Sequence, residues 1–137
     1  MAAVTGILES ASYVADLARS VRFYQDLFGF EQLTGDERMA ALDVAGRQVL
    51  LLFHEGGSTT GRQTSGGFIP PHDCHGHSHL AFSIAADQWE PWLARLAELG
   101  VSIESQVDWS RGGKSVYFRD LDGHSIELVT PGCWTTY

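Results

Sequence analysis

Reading the chain for its apolar positions alone shows one plan written twice. Gly6 to Val14 reads as a strand, and Asp16 follows as a candidate helix cap. Leu17, Val21, Tyr24 and Phe28 then recur at i, i+4, i+7 and i+11, on one face of a helix, and Gly29 stands where a helix commonly stops. At an offset of about seventy residues the plan returns. His79 to Ile84 reads as a strand, and Asp87-Gln88-Trp89-Glu90 as a capping-box-like helix start with Asp in place of Ser or Thr. Trp89, Leu93 and Leu96 line the inner face of that helix, Pro91 falls in its first turn, and Gly100 ends it.

Three strand-like segments follow each helix. In the first half they are Phe30 to Thr34, Arg38 to Val44 and Arg47 to Phe53, the last two joined by a tight turn at Ala45-Gly46. In the second half they are Val101 to Val107, Lys114 to Arg119 and His124 to Val129, turning at Asp122-Gly123. The pattern predicts an α+β fold of two βαβββ modules, about 6–53 and about 78–130, within one domain spanning 1–137. Neither module can bury both faces of a four-stranded sheet with one helix, so each needs its twin or a second chain. Between them, residues 54–77 hold six glycines and the pair Pro70-Pro71, which reads as a linker or a functional lid.

Charge narrows the partners. Nine basic residues against seventeen acidic ones leave a formal net charge of -8, and the basic residues do not cluster, which argues against nucleic acid. No apolar run approaches the ~18 residues of a membrane span, and Met1 to Thr5 lacks the features of a signal peptide, so the expected compartment is the cytoplasm. Cys74 and Cys133 lack CxxC spacing and read as reduced thiols.

Function shows where the halves differ. Aligned by their last strands, Glu127 falls where its twin has Leu50, flanked by Ile126, Leu128 and Val129, so the carboxylate should be partly buried and should need a cation. Glu9 and His79 open the first strands of the two modules at matching positions. Two carboxylates and one imidazole on three strands make a candidate shell for one divalent metal ion: Zn, Ni, Mn, Fe or Co.

These residues carry a family resemblance. Val14-Ala15-Asp16-Leu17, Ser20, Phe23-Tyr24, Leu27 and Gly29-Phe30 in the first half, with His79-Leu80-Ala81-Phe82 and Tyr117 to Leu128 in the second, resemble the vicinal oxygen chelate superfamily. This is the group of glyoxalases, bleomycin resistance proteins and extradiol dioxygenases. The resemblance implies an open, cup-shaped mixed β-barrel, a homodimer that assembles sites from both chains, and a metal that activates substrates through two neighbouring oxygen atoms. It places the metal ligands at Glu9, His79 and Glu127, where many members have His at the first position. Glutathione-dependent glyoxalases use a fourth ligand, which falls at Leu50 and is missing here. The extradiol dioxygenase pattern is met by Tyr117 but lacks its histidine, since residues 108–110 are Asp108, Trp109 and Ser110. The fosfomycin-modifying thiol transferases share the Tyr-Phe and Asp-Gly-His stretches, a likeness confined to the second half.

Tyr117 and Glu127 are the candidate catalytic residues, Tyr117 by hydrogen bonding to a substrate oxygen. Arg111, in a loop longer than its counterpart, Arg119 and Trp109 are the candidate substrate contacts; Arg119 could instead pair with Asp120 or Asp122. If residues 75–79 are extended, His75, His77 and His79 share a face, and His72 and Cys74 lie just before them. Two functions follow. One is a metal-dependent enzyme of isomerase, lyase, transferase or ring-cleaving type, using the metal as a Lewis acid on a small-molecule substrate. The other is a metal-free small-molecule or drug binder like the bleomycin resistance proteins.

Overall fold

A computed structural model describes all of residues 1–137. The chain falls into two compact units, Met1–His75 and Gly76–Tyr137. In the first, strand β1 (Glu9–Val14) leads into helix α1 (Leu17–Phe28), followed by β2 (Gln32–Gly35), β3 (Met39–Val44) and β4 (Gln48–His54). The sheet runs β1-β4-β3-β2, with β1 and β4 parallel and the other neighbours antiparallel. Asp16 caps α1 by accepting from the Arg19 amide at 3.0 Å, and Gly29 closes it in the left-handed conformation. Val21, Tyr24 and Leu27 are buried on its inner face; burying a side chain of this size contributes about 1.5–3 kcal/mol. The strand predicted from Gly6 begins at Glu9, and Ile7 and Leu8 before it are exposed.

Residues 54–77 are not a structureless tether. They contain a short hairpin of β5 (Arg62–Thr64) and β6 (Gly67–Ile69), and residues up to His75 belong to the first unit. Arg62 ties the hairpin to the β2–β3 turn through an ion pair with Asp36 at 2.6 Å.

The second unit repeats the topology. It comprises β7 (His79–Ser83), α2 (Trp89–Glu98), β8 (Ile103–Asp108), β9 (Lys114–Arg119) and β10 (Ser125–Val129), in the order β7-β10-β9-β8. Its helix does not begin with the predicted capping box. A 3-10 turn at Ala86–Gln88, closed by the Gln88 amide on the Ala85 carbonyl at 3.0 Å, precedes α2 and takes Asp87 into its interior, and Gln88 at the start of α2 makes no side-chain cap. Val116, Phe118, Ile126 and Leu128 share one face of the sheet and are fully buried. The polar residues are on the other face. No helix is long and apolar enough to cross a membrane.

Candidate metal centre

Strand alternation sets the site out as a grid. On the polar face of the second sheet, Arg119, Ser125 and His79 form one row across β9, β10 and β7, and Tyr117, Glu127 and Ala81 form the next. His79 and Glu127 meet diagonally across these rows, with Nε2 3.2 Å from Oε2. Each is held from behind. The other ring nitrogen of His79, Nδ1, donates to the Ser125 carbonyl at 3.0 Å, and the other carboxylate oxygen, Oε1, accepts from Ser115 Oγ at 2.5 Å. Ser115 Oγ in turn accepts from the Trp109 indole N–H at 2.8 Å.

This arrangement suits a cation. A carbonyl oxygen can only accept, so Nδ1 of His79 carries a hydrogen and Nε2 is the nitrogen that faces Glu127. A proton or a cation must lie between Nε2 and Oε2, since two bare lone pairs at that distance would repel. Two ligands at about 2.0–2.2 Å from one ion, at angles of about 90–110°, stand about 2.8–3.6 Å apart, and the observed 3.2 Å falls in that interval. Hydrogen bonds to the far atoms of both groups are the support that metal-binding imidazoles and carboxylates commonly have. Glu127 is only 6% exposed, whereas the His79 side chain is about half exposed, which leaves the imidazole side open.

Tyr117 lies directly across from Glu127 on β9, its ring stacked near that of His79 with centroids 6.2 Å apart. Burial raises its pKa above the ordinary tyrosine value, and the charge of Glu127 adds to the rise, so the phenol holds its proton. Arg111 is exposed on the β8–β9 loop with no hydrogen bond or ion pair. The loop's backbone is braced: the Trp109 amide donates to the Gly113 carbonyl, and Gly113 packs so closely on Gly132 that a Cβ would come within 2.5 Å of its carbonyl carbon. Arg119 reaches neither Asp120 nor Asp122 by an ion pair; it forks onto Glu104 at 2.6 and 3.1 Å and also donates to the Gly123 carbonyl. Trp109, expected at a substrate cleft, makes its polar contact behind Glu127 through Ser115. Ser115 carries no sequence signal of this role beyond alternation from Tyr117, which puts it on the polar face.

In the first unit, Glu9 is exposed at the start of β1. The repeat register needs a correction of one residue. Glu127 pairs with Ala81, two residues after His79, and the matching partner of Ala11, two residues after Glu9, is Leu51. Leu51, and not Leu50, occupies the position equivalent to Glu127; Leu50 points into the core at 2% exposure. The substitution of one leucine for another leaves this position without a ligand. The histidines before His79 do not line up on an extended strand. His72 bonds Tyr13 Oη through Nδ1 at 2.6 Å, His75 pairs with Asp73 at 3.0 Å, and His77 packs on Gly123. Cys74 and Cys133 are free thiols.

Residues 6–128 match the family model described as Glyoxalase/Bleomycin resistance protein/Dioxygenase superfamily. The metallothiol transferase FosB of Staphylococcus epidermidis is 32% identical over 129 residues, 93% of this chain and 84% of the relative. The glutathione transferase FosA of Serratia marcescens is 34% identical over 115 residues, 84% of this chain and 73% of the relative. A lactoylglutathione lyase structure from Agrobacterium tumefaciens superposes with a TM-score of 0.86 at 31% identity, covering 96% of this chain and 98% of that one. The thiol-transferase likeness is therefore not confined to the second half, because the match runs through both modules. The chain belongs to the glyoxalase/bleomycin resistance protein/dioxygenase superfamily and is one of its enzymes.

Proposed function

We propose that this protein is a divalent-metal-dependent transferase that joins a thiol to a small substrate presenting adjacent oxygen atoms. The observation that carries this reading is the His79–Glu127 pair at 3.2 Å, with both far atoms fixed by hydrogen bonds. The likeness to the metallothiol and glutathione transferases supports group transfer over isomerisation, lyase chemistry or ring cleavage. Leu51 at the position equivalent to Glu127 weighs against a four-ligand glyoxalase centre.

His79 and Glu127 supply two ligands of the ion, and Glu9, from this chain or from a second copy in a homodimer, supplies the third. This donor set suits Zn, Ni, Mn, Fe or Co. When bound, such an ion supplies Lewis acidity toward the substrate's paired oxygens. Tyr117, protonated and opposite Glu127, donates a hydrogen bond to the substrate oxygen on which negative charge develops. Arg111, with no partner of its own, meets an anionic group of the substrate from the rim. Trp109 acts on the site indirectly, through Ser115, whereas Arg119 is taken up by Glu104.

The test combines metal analysis of protein purified without chelator with a thiol-consumption assay, using glutathione against fosfomycin and a panel of epoxides and enones. The reading expects stoichiometric divalent metal, metal-dependent thiol adducts detected by mass spectrometry, and loss of both in Glu127→Gln. Protein without metal refutes the centre; a metal-loaded protein that forms no adduct with any electrophile refutes the transfer.

A further inference from the structure

A cavity of about 590 Å³ lies wholly within the first unit, between the open face of its sheet and the β5–β6 hairpin. That is the size of a small-molecule site. Its floor is Ala11, Leu51 and Phe53, and Ile69 and Pro70 come down on it from the hairpin side.

The polar groups are distributed along its length. Glu9 and Tyr13 are four residues apart on β1, about 13 Å along a strand. Glu9 marks one end. At the other, Tyr13 pairs with Phe53 and Phe53 with Met39, which brings Arg38, the residue before Met39, to the Tyr13 end. Nε and Nη2 of Arg38 both donate to the Gly57 carbonyl, and no carboxylate forms an ion pair with it. The second cation of the lining, Arg62, is already neutralised by Asp36. Tyr13 Oη and His72 Nδ1, 2.6 Å apart, add a hydrogen-bonding pair at this end, and Asp73, the carboxylate acting on Tyr13, is paired with His75. The cavity thus has an apolar middle, an uncompensated guanidinium at one end and a carboxylate at the other.

We propose that this cavity binds a small molecule with an apolar, ring-sized body and an anionic group at one end, that anion on Arg38 and the opposite end of the molecule toward Glu9. The inference rests on the proposed function only in taking this molecule as the substrate, whose reacting end then lies beside the metal ligand Glu9. Binding itself needs no metal.

The experiment is isothermal titration calorimetry of the full chain with 4-phenylbutyrate, 4-phenylbutanol and 4-phenylbutylamine, repeated on variants. Phenylbutyrate should bind saturably at one per chain, the alcohol about tenfold more weakly for want of a charge-assisted hydrogen bond, and the amine not at all. Arg38→Lys should retain phenylbutyrate, Arg38→Gln should bring it to the level of the alcohol, and Ala11→Phe, which fills the floor, should abolish it. Equal binding of acid and amine, no saturable binding of the acid, or an Ala11→Phe variant that binds unchanged would each overturn the proposal. Ala11→Phe also keeps the test decisive if Arg38→Gln loosens the Gly57 turn. Loss of binding with the metal centre intact sinks this inference alone, and loss of the metal centre with binding intact sinks only the proposed function.

Discussion

Glu127 is buried, and a carboxylate at that depth needs its charge and its lone pairs answered. His79 answers one oxygen and Ser115 the other, with Trp109 behind Ser115. The sequence already pointed to Glu127, because a charged residue between Ile126 and Leu128 breaks the apolar run of its strand. It could not point to Ser115, since a serine in a strand carries no sign of its partner until the β9–β10 register is known. Ser115→Ala should weaken divalent-metal affinity by roughly 10- to 100-fold, as removal of supporting hydrogen bonds at metal sites commonly does. Trp109→Phe should act in the same direction and more weakly, and competition against a chelating dye measures both. Equal affinity in Ser115→Ala would mean that the bond to Oε1 does not orient the carboxylate.

The strands and α1 were legible from periodicity, since Leu17, Val21, Tyr24 and Phe28 fall on one stripe and Asp16 and Gly29 end the helix as their chemistry requires. The start of α2 was not, because Asp87 has the right side chain for a cap while the backbone there takes a 3-10 turn. The connector's hairpin was hidden by composition, as glycine, serine and threonine mark turns and loose chain alike. At the predicted β3–β4 turn, Ala45 and Gly46 have φ of 57° and 67°, and the Arg47 amide closes onto the Val44 carbonyl, a type I′ turn. Alanine is strained in that conformation, so Ala45→Asn should raise stability by about 0.5–1 kcal/mol in thermal or urea unfolding. The Asp36–Arg62 pair predicts a pH dependence for the hairpin. The Arg38 amide and then Arg62 hold the Asp36 carboxyl below its ordinary pKa, so the stabilisation is present above the ordinary carboxylate range and is lost as pH falls through the lowered value. Protection of amides 62–69 from exchange, taken relative to the intrinsic rate at each pH, should therefore fall on acidification below about pH 4, and Asp36→Asn should abolish that dependence.

For the whole molecule, the repeat is the feature that organises everything else. Both units use the same strand order, and the offset between them is 70 residues at Glu9 and His79 but 76 at Leu51 and Glu127. Most of the difference lies in the β8–β9 connection, where the paired residues Ser105 and Tyr117 are 12 apart in sequence against 7 for their counterparts Thr34 and Ala41. Matching the turn glycines Gly46 and Gly123, 77 apart, sets the last strands one residue out of register, and the strand pairings show the true offset of 76. The two copies have diverged in chemistry: the second holds the imidazole and carboxylate pair, while the first holds Glu9 and the roofed apolar cavity. If a homodimer completes the centre, light scattering should give twice the 15.0 kDa chain mass, and Glu9→Gln should lower metal affinity without changing that mass.

The central claim is that His79 and Glu127 hold a divalent ion, and metal stoichiometry tests it most directly. Protein purified without chelator, analysed by inductively coupled plasma mass spectrometry, should carry close to one divalent ion per chain, and folded His79→Ala and Glu127→Gln should carry almost none. A metal-free wild type that also takes up no added Mn, Ni, Zn, Fe or Co, or variants that keep the ion, would contradict the account.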